Sequence, residues 1–130
     1  MTKTYVCAID VRGYELDSFG HVNHAVYISY LEHARWKLLE EEDIGLKEFN
    51  GWKRWPVIAS LEATYLKPTF LGDQLQIRTH LEASGRTGFF ANQEMFRGDV
   101  MVFKAKVRVV IVNENGRPAE LPAEVARLAS

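Results

Sequence analysis

Asp17, His21 and His24 stand close together, immediately ahead of an apolar run from Ala25 to Leu31 in which only Ser29 is neither apolar nor aromatic. A carboxylate and imidazoles are the residue types that general acid and base catalysis uses. Asn23 is a strong N-cap residue, so the run after it reads as a helix. The first turn of such a helix leaves backbone N–H groups unpaired and carries partial positive charge, both aimed at the stretch holding Asp17. A plainer role is also open to Asp17: a turn carboxylate accepting bonds from the backbone N–H groups of residues 18–21. The three side chains are zinc-ligand types as well. No cysteine ligand or second carboxylate stands at a metal-motif spacing, however, and no metal is expected.

The element that must position these groups is the helix, expected from about Asn23 to about Asp43 with Gly45 as its C-terminal cap. Its early turns are apolar on every side, which predicts a helix wrapped by other elements. Glu40 to Asp43 sit at the unfavourable end of its dipole. Ahead of it, residues 4–12 read as a strand with Val6, Ala8 and Asp10 on one face, and 13–22 as a turn-rich approach. Residues 45–56 read as a loop or short helical turn carrying Phe49, Trp52 and Trp55.

After Pro56 the apolar period changes to two. Residues 57–67 place Val57, Ala59, Leu61, Ala63 and Tyr65 on one face, and 74–83 alternate Leu75, Ile77, Thr79 and Leu81 with polar residues. Strands over 87–97 and 100–112 follow. Gly72-Asp73, Ser84-Gly85 and Gly98-Asp99 mark turns short enough for antiparallel neighbours. Residues 122–128 read as a closing helical turn. A strand, a long helix and a four-stranded antiparallel meander make an α+β plan, in which one apolar sheet face packs on the helix.

The 130 residues are expected to form a single domain, 1–130, with a core of useful size. A net charge of −1, from 16 basic and 17 acidic residues without a basic run, argues against nucleic acid or an anionic membrane surface as partner. The single cysteine, Cys7, cannot form an internal disulfide. With no signal-peptide core and no apolar stretch of spanning length, a cytoplasmic soluble domain is expected.

The sequence resembles the hot-dog-fold acyl-CoA thioesterases of the 4-hydroxybenzoyl-CoA thioesterase type. The residues that carry the resemblance are Asp17, Gly20, His21, Val22, Asn23 and Tyr27, then Tyr30-Leu31-Glu32 with Ala34-Arg35. Tyr65-Leu66-Lys67-Pro68, Gly72-Asp73, Gly85-Arg86-Thr87 and Gly116-Arg117-Pro118 extend it over nearly the whole chain. The helix start also looks like that of plant acyl carrier protein thioesterases, except that Phe19 stands where their pattern has an asparagine.

The resemblance implies a hot-dog fold, a long helix wrapped by a curved antiparallel sheet of about five strands. It implies hydrolysis of an acyl or aryl thioester of coenzyme A or acyl carrier protein, without a cofactor. Asp17 would act as nucleophile or as the base that activates water, and His24 as an auxiliary group. Backbone N–H groups of Asn23, His24 and Ala25 would polarise the carbonyl. A departing thiolate needs little proton help, because thiols ionise near ~8.5. Gly20, His21, Val22, Asn23 and Tyr27 would shape the substrate site, with Tyr27, Trp52, Trp55 and Phe89 setting its depth. Arg86 and Thr87 would grip the coenzyme's phosphates, with Lys67 as a weaker candidate. The family also implies a symmetric homodimer, or a homotetramer, with the site shared between subunits.

Other residues have simpler readings. His33 and His80 are expected as exposed polar positions, Glu62 on the polar face of its strand, and Glu32 with Arg35 as an i,i+3 ion pair. Two rival functions share the fold: a dehydratase or hydratase of 3-hydroxyacyl or enoyl thioesters, and a non-catalytic acyl-thioester binding module.

Overall fold

Asn23 caps the helix through its side chain, which accepts the Ala25 N–H at 2.9 Å, and helix α1 runs His24–Glu41. The computed structural model describes residues 3–130. The buried residues of α1 are Tyr27, Tyr30, Leu31, Ala34, Leu38 and Leu39, a stripe at three- and four-residue spacing. Ala25, Ser29, His33 and Lys37 on the other side are exposed. The helix is thus covered along one face rather than wrapped on every side. It ends without help from Gly45: Asp43 takes a left-handed φ of 61°, and the Ile44 N–H bonds the Leu39 carbonyl at 2.8 Å. Ile44 is buried there, completing a Schellman-type stop. Gly45 instead precedes a second helix, α2 (Leu46–Trp52), and its N–H is accepted by Glu48 Oε1 at 2.8 Å.

Five strands form one antiparallel sheet in the order β1-β3-β4-β5-β2. They are β1 (Tyr5–Asp10), β2 (Trp55–Tyr65), β3 (Gln74–Ser84), β4 (Gly88–Arg97) and β5 (Val100–Val112). With α1 packed on the apolar face of this sheet, the α+β hot-dog architecture is realised. The meander comprises β3, β4 and β5, and β2 does not adjoin β3 but pairs with β5 at the opposite edge. The connector 66–73 therefore crosses the end of the sheet instead of forming a hairpin. It is held there by the Val22 N–H, donated to the Thr69 carbonyl at 2.9 Å, and by a bridge between His21 and Phe70.

Two strands turn differently from their alternation. In β1 the buried side chains are Tyr5 and Ile9, opposite Thr79 and Leu75, and Val6 is exposed. The larger apolar residues take the core face. In β2 the register slips between Ile58 and Ser60. That bulge swaps faces, so Ile58, not Val57, joins Leu61, Ala63 and Tyr65 opposite the buried Val109, Val107, Ala105 and Phe103. Every residue from Val57 to Pro68 is exposed, and β2 is an unprotected edge. At the head of β4, a side chain on Gly88 would meet the Val109 carbonyl oxygen at 2.5 Å, so glycine is required. A last helix, α3 (Ala123–Ala126), and a 3-10 turn to Ala129 bury Val125 and Leu128 against the sheet.

Candidate functional site

Residues 15–23 form a miniature hairpin that delivers Asp17 to the start of α1. The Asn23 N–H bonds the Glu15 carbonyl at 2.8 Å, Leu16 bridges Val22, and the Asp17 N–H bonds the His21 carbonyl at 2.7 Å. Its tip is Ser18-Phe19-Gly20. Gly20 adopts a φ of +79°, the left-handed residue that closes a three-residue hairpin loop. Asp17 thus sits two rungs from the helix cap, across from His21.

The turn role of Asp17 is present in full. Its Oδ1 accepts the Phe19 N–H at 2.9 Å and the His21 N–H at 3.1 Å. Among the described residues Oδ2 has no partner. One oxygen is held by two backbone N–H groups and the other has no bond to the protein, so the turn role does not use up the carboxylate.

Of the three backbone donors expected at the helix start, two are occupied. The Asn23 N–H is held by Glu15 and the Ala25 N–H by the Asn23 side chain. Only the His24 N–H lacks a partner among the described residues. The imidazole of His24 is exposed, and its carbonyl accepts the Tyr65 hydroxyl at 2.6 Å. His21 packs edge-on against Phe70, with ring centres 5.1 Å apart, and Val22 is buried.

Tyr27 is only 3% exposed, shares a hydrogen bond with Thr69 Oγ1 at 2.9 Å and packs in a three-ring cluster with Tyr65 and Phe103. Here it holds the 66–73 connector to α1. Asp73 Oδ2 anchors the same connector, accepting the Phe70 N–H at 2.9 Å and Arg97 Nη1 at 3.1 Å.

Glu15 and Tyr65 carried no signal as site residues. A glutamate is ordinarily exposed, yet Glu15 is 7% exposed and accepts Arg12 Nη2 at 2.8 Å and the Tyr30 hydroxyl at 2.6 Å. Burial alone would raise its carboxyl pKa; the bonds from Arg12 and Tyr30 outweigh it and hold the group below the ordinary glutamate value. Burial, reinforced by Glu15, raises the Tyr30 hydroxyl well above the usual tyrosine value, so it stays a donor.

The expected Glu32–Arg35 ion pair is not formed among the described residues. Arg35 turns inward and donates Nη1 to Gln93 Oε1 at 3.0 Å, and burial lowers its pKa. Gln93 is buried and donates Nε2 to the Leu31 carbonyl and to Thr79 Oγ1. Beside this network a cavity of about 100 Å³ opens between α1 and the sheet, walled by Arg35, Trp36, Ile58, Leu81, Phe89 and Val109. Of the residues expected to set pocket depth, only Phe89 lines it. Trp52 packs on Phe49, and Trp55 donates Nε1 to Asn50 at 2.8 Å.

Arg86 and Thr87 lie on the β3–β4 turn, whereas the Asp17 hairpin adjoins the beginning of β3, where the Val11 N–H bonds the Asp73 carbonyl. The length of β3 separates them, roughly 33 Å at about 3.3 Å per residue. Glu62, Lys67, His33 and His80 are exposed. Among the described residues, no three metal-ligating side chains are grouped to hold an ion, and no helix is long and apolar enough to cross a membrane.

A family model described as the thioesterase-like superfamily matches residues 11–128. The chain is 31% identical over 121 residues to the 1,4-dihydroxy-2-naphthoyl-CoA hydrolase of Nostoc punctiforme, covering 90% of this chain and 80% of that protein. It is 27% identical over 127 residues to a chloroplastic acyl-acyl carrier protein thioesterase of Arabidopsis thaliana, covering 96% of this chain and 67% of that one. Among solved structures, a hypothetical protein of Aquifex aeolicus superposes with a TM-score of 0.89 at 27% identity, covering 97% of this chain and 99% of the other.

Proposed function

Because the chain belongs to the thioesterase-like superfamily and is a thioesterase, we propose that it hydrolyses acyl or aryl esters of coenzyme A, or of acyl carrier protein, to free acid and thiol through Asp17. The relatives named for CoA and carrier-protein esters support both carriers. The observation that carries the proposal is the Asp17 carboxylate. One oxygen is pinned by two backbone N–H groups and the other is free, on a hairpin that ends at the helix start.

In the base route, Oδ2 takes a proton from water as the water oxygen attacks the thioester carbonyl carbon. Negative charge moves to the carbonyl oxygen, where the His24 N–H at the positive end of α1 receives it. Collapse breaks the C–S bond, and the thiolate leaves as the thiol after taking up the proton. In the nucleophilic route, Oδ2 itself forms the new bond and the thiolate departs, leaving a mixed anhydride that water then splits. The His24 imidazole, exposed at the helix start, would hold the attacking water or the thioester.

The site belongs to a homodimer. β2 presents an unpaired edge with Ile58, Leu61 and Tyr65 exposed. Antiparallel pairing of two β2 strands about a twofold axis sets the Tyr65 end of one beside the Trp55 end of the other. That brings Arg86 and the apolar cavity of one protomer toward Asp17 and His24 of its partner. It removes the separation within one chain.

The test is thiol release, followed with a thiol-trapping dye, from a panel of aryl- and alkyl-CoA esters and acyl carrier protein esters. Wild type should turn over at least one class, and Asp17→Asn should lose about 100-fold or more in kcat. Equal rates in both proteins would clear Asp17. In single turnover in ¹⁸O-water, label found in Asp17 establishes the anhydride route, with water attacking its aspartyl carbonyl.

A further inference from the structure

Glu15 is the one buried carboxylate among the described residues, the other buried polar side chains being Thr69, Thr79 and Gln93. Burying a charge is unfavourable unless its partners are close and well aimed. Here four donors converge. Oε1 accepts the Arg12 backbone N–H at 2.8 Å, Arg12 Nε at 3.1 Å and the Tyr30 hydroxyl at 2.6 Å, and Oε2 accepts Arg12 Nη2 at 2.8 Å.

The partners come from separate parts of the fold. Arg12 follows β1, and Tyr30, 2% exposed, projects from the second turn of α1. The backbone of Glu15 makes the last rung of the Asp17 hairpin, accepting the N–H of the cap residue Asn23 at 2.8 Å. One residue therefore fixes the roll of α1, the base of the hairpin and the helix cap at once. Of the two groups proposed for the reaction, the Asp17 carboxylate lies on one strand of that hairpin and the His24 N–H directly follows the other. Among the described residues, the bond from Tyr30 to Glu15 is the only side-chain hydrogen bond tying the body of the helix to the strand that carries Asp17. An apolar residue would fill the volume and keep the backbone bond to Asn23, but it would not join the Arg12 guanidinium to the Tyr30 hydroxyl.

We infer that Glu15 is a positioning residue of the thioesterase reaction: with Arg12 and Tyr30 it sets the distance and angle between the Asp17 carboxylate and the His24 N–H, and touches no substrate itself. The inference rests on the proposed role of Asp17. Its ionised carboxyl and the un-ionised Tyr30 hydroxyl keep this bond in place across the working pH range.

The test compares Glu15→Gln and Tyr30→Phe with wild type and with Val125→Ala, a buried substitution in α3. The measurements are kcat and KM on the best CoA ester, together with Tm. Both site variants should lose about 10- to 100-fold in kcat, since a misplacement of about 1 Å costs on the order of 100-fold, while KM stays within about threefold. Val125→Ala should lower Tm and leave kcat unchanged. In the double variant Glu15→Gln/Asp17→Asn, kcat should be no lower than in Asp17→Asn alone, because the first change acts through the second residue. Wild-type kcat in folded Glu15→Gln and Tyr30→Phe, or multiplicative losses in the double variant, would overturn the inference and leave Asp17 standing. A fully active Asp17→Asn would instead remove the Asp17 proposal, and this inference with it.

Discussion

The Tyr65 hydroxyl donates to the His24 carbonyl oxygen at 2.6 Å, so the last residue of the edge strand β2 is tied to the first residue of α1. His24 is also the residue whose N–H, without a partner among the described residues, is the proposed donor to the oxyanion. The bond fixes the peptide on one side of His24 while the hairpin fixes it on the other.

Tyr65→Phe removes this bond and leaves the ring packed against Tyr27 and Phe103. Stability should fall by about 0.5–1.5 kcal/mol in denaturant titration, the usual net worth of one hydrogen bond. Activity should fall further than that loss implies, about tenfold in kcat, because the oxyanion donor loses a support. Unchanged kcat alongside the stability loss would show that His24 is held well enough without Tyr65.

A site shared across the twofold predicts complementation between inactive partners. Asp17→Asn and Arg86→Ala should each be impaired as pure dimers. Mixed after mild dissociation, half the dimers are hybrids, and each hybrid carries one site with both residues intact. The mixture should regain about a quarter of wild-type activity. No recovery, in a mixture whose exchange is confirmed by mass, would place Asp17 and Arg86 in separate functions.

Much of this arrangement is legible in the residues themselves. Asn23 announces the helix start by its own chemistry, and Leu75, Ile77, Thr79 and Leu81 alternate because one face of β3 is buried. Strand order was not legible. The turn residues Gly72-Asp73 look like a hairpin, but what sends β2 to the far edge is the anchoring of the connector by Val22, His21 and Arg97, contacts distant in sequence. The bulge after Ile58 likewise leaves no mark on the alternation. In the site, Asp17 could be found by type and spacing. Glu15 could not, because its burial depends on Tyr30 arriving from the second turn of α1, fifteen residues along the chain.

The Glu15 cluster also predicts how stability follows pH. Its folded pKa is depressed, so its contribution is complete above the unfolded glutamate value of about 4.3 and is lost as pH falls through the lower folded value. Wild type should therefore exceed Glu15→Gln in Tm at pH 7, and the gap should narrow below about pH 4. A gap that is constant with pH would mean that the bonds survive protonation and that ionisation of Glu15 contributes nothing.

The cavity beside Arg35 supplies the last prediction, on chain length. Ile58 stands on its wall at the open β2 edge, 52% exposed, so a larger side chain there meets little resistance from the core. Ile58→Phe should fill part of the space that an acyl chain from the partner's site would enter. Losing room for two methylenes forfeits about 1.6 kcal/mol at about 0.8 kcal/mol each, a little over tenfold in kcat/KM. Esters short enough to stop before the cavity should be unaffected. The measurement is kcat/KM across a series of straight-chain CoA esters for wild type and variant. A break in the variant's series at a definite length would mark where the chain reaches Ile58. A uniform drop at every length would place the acyl group elsewhere, and with it the proposed route from Asp17 into the partner's cavity would fall.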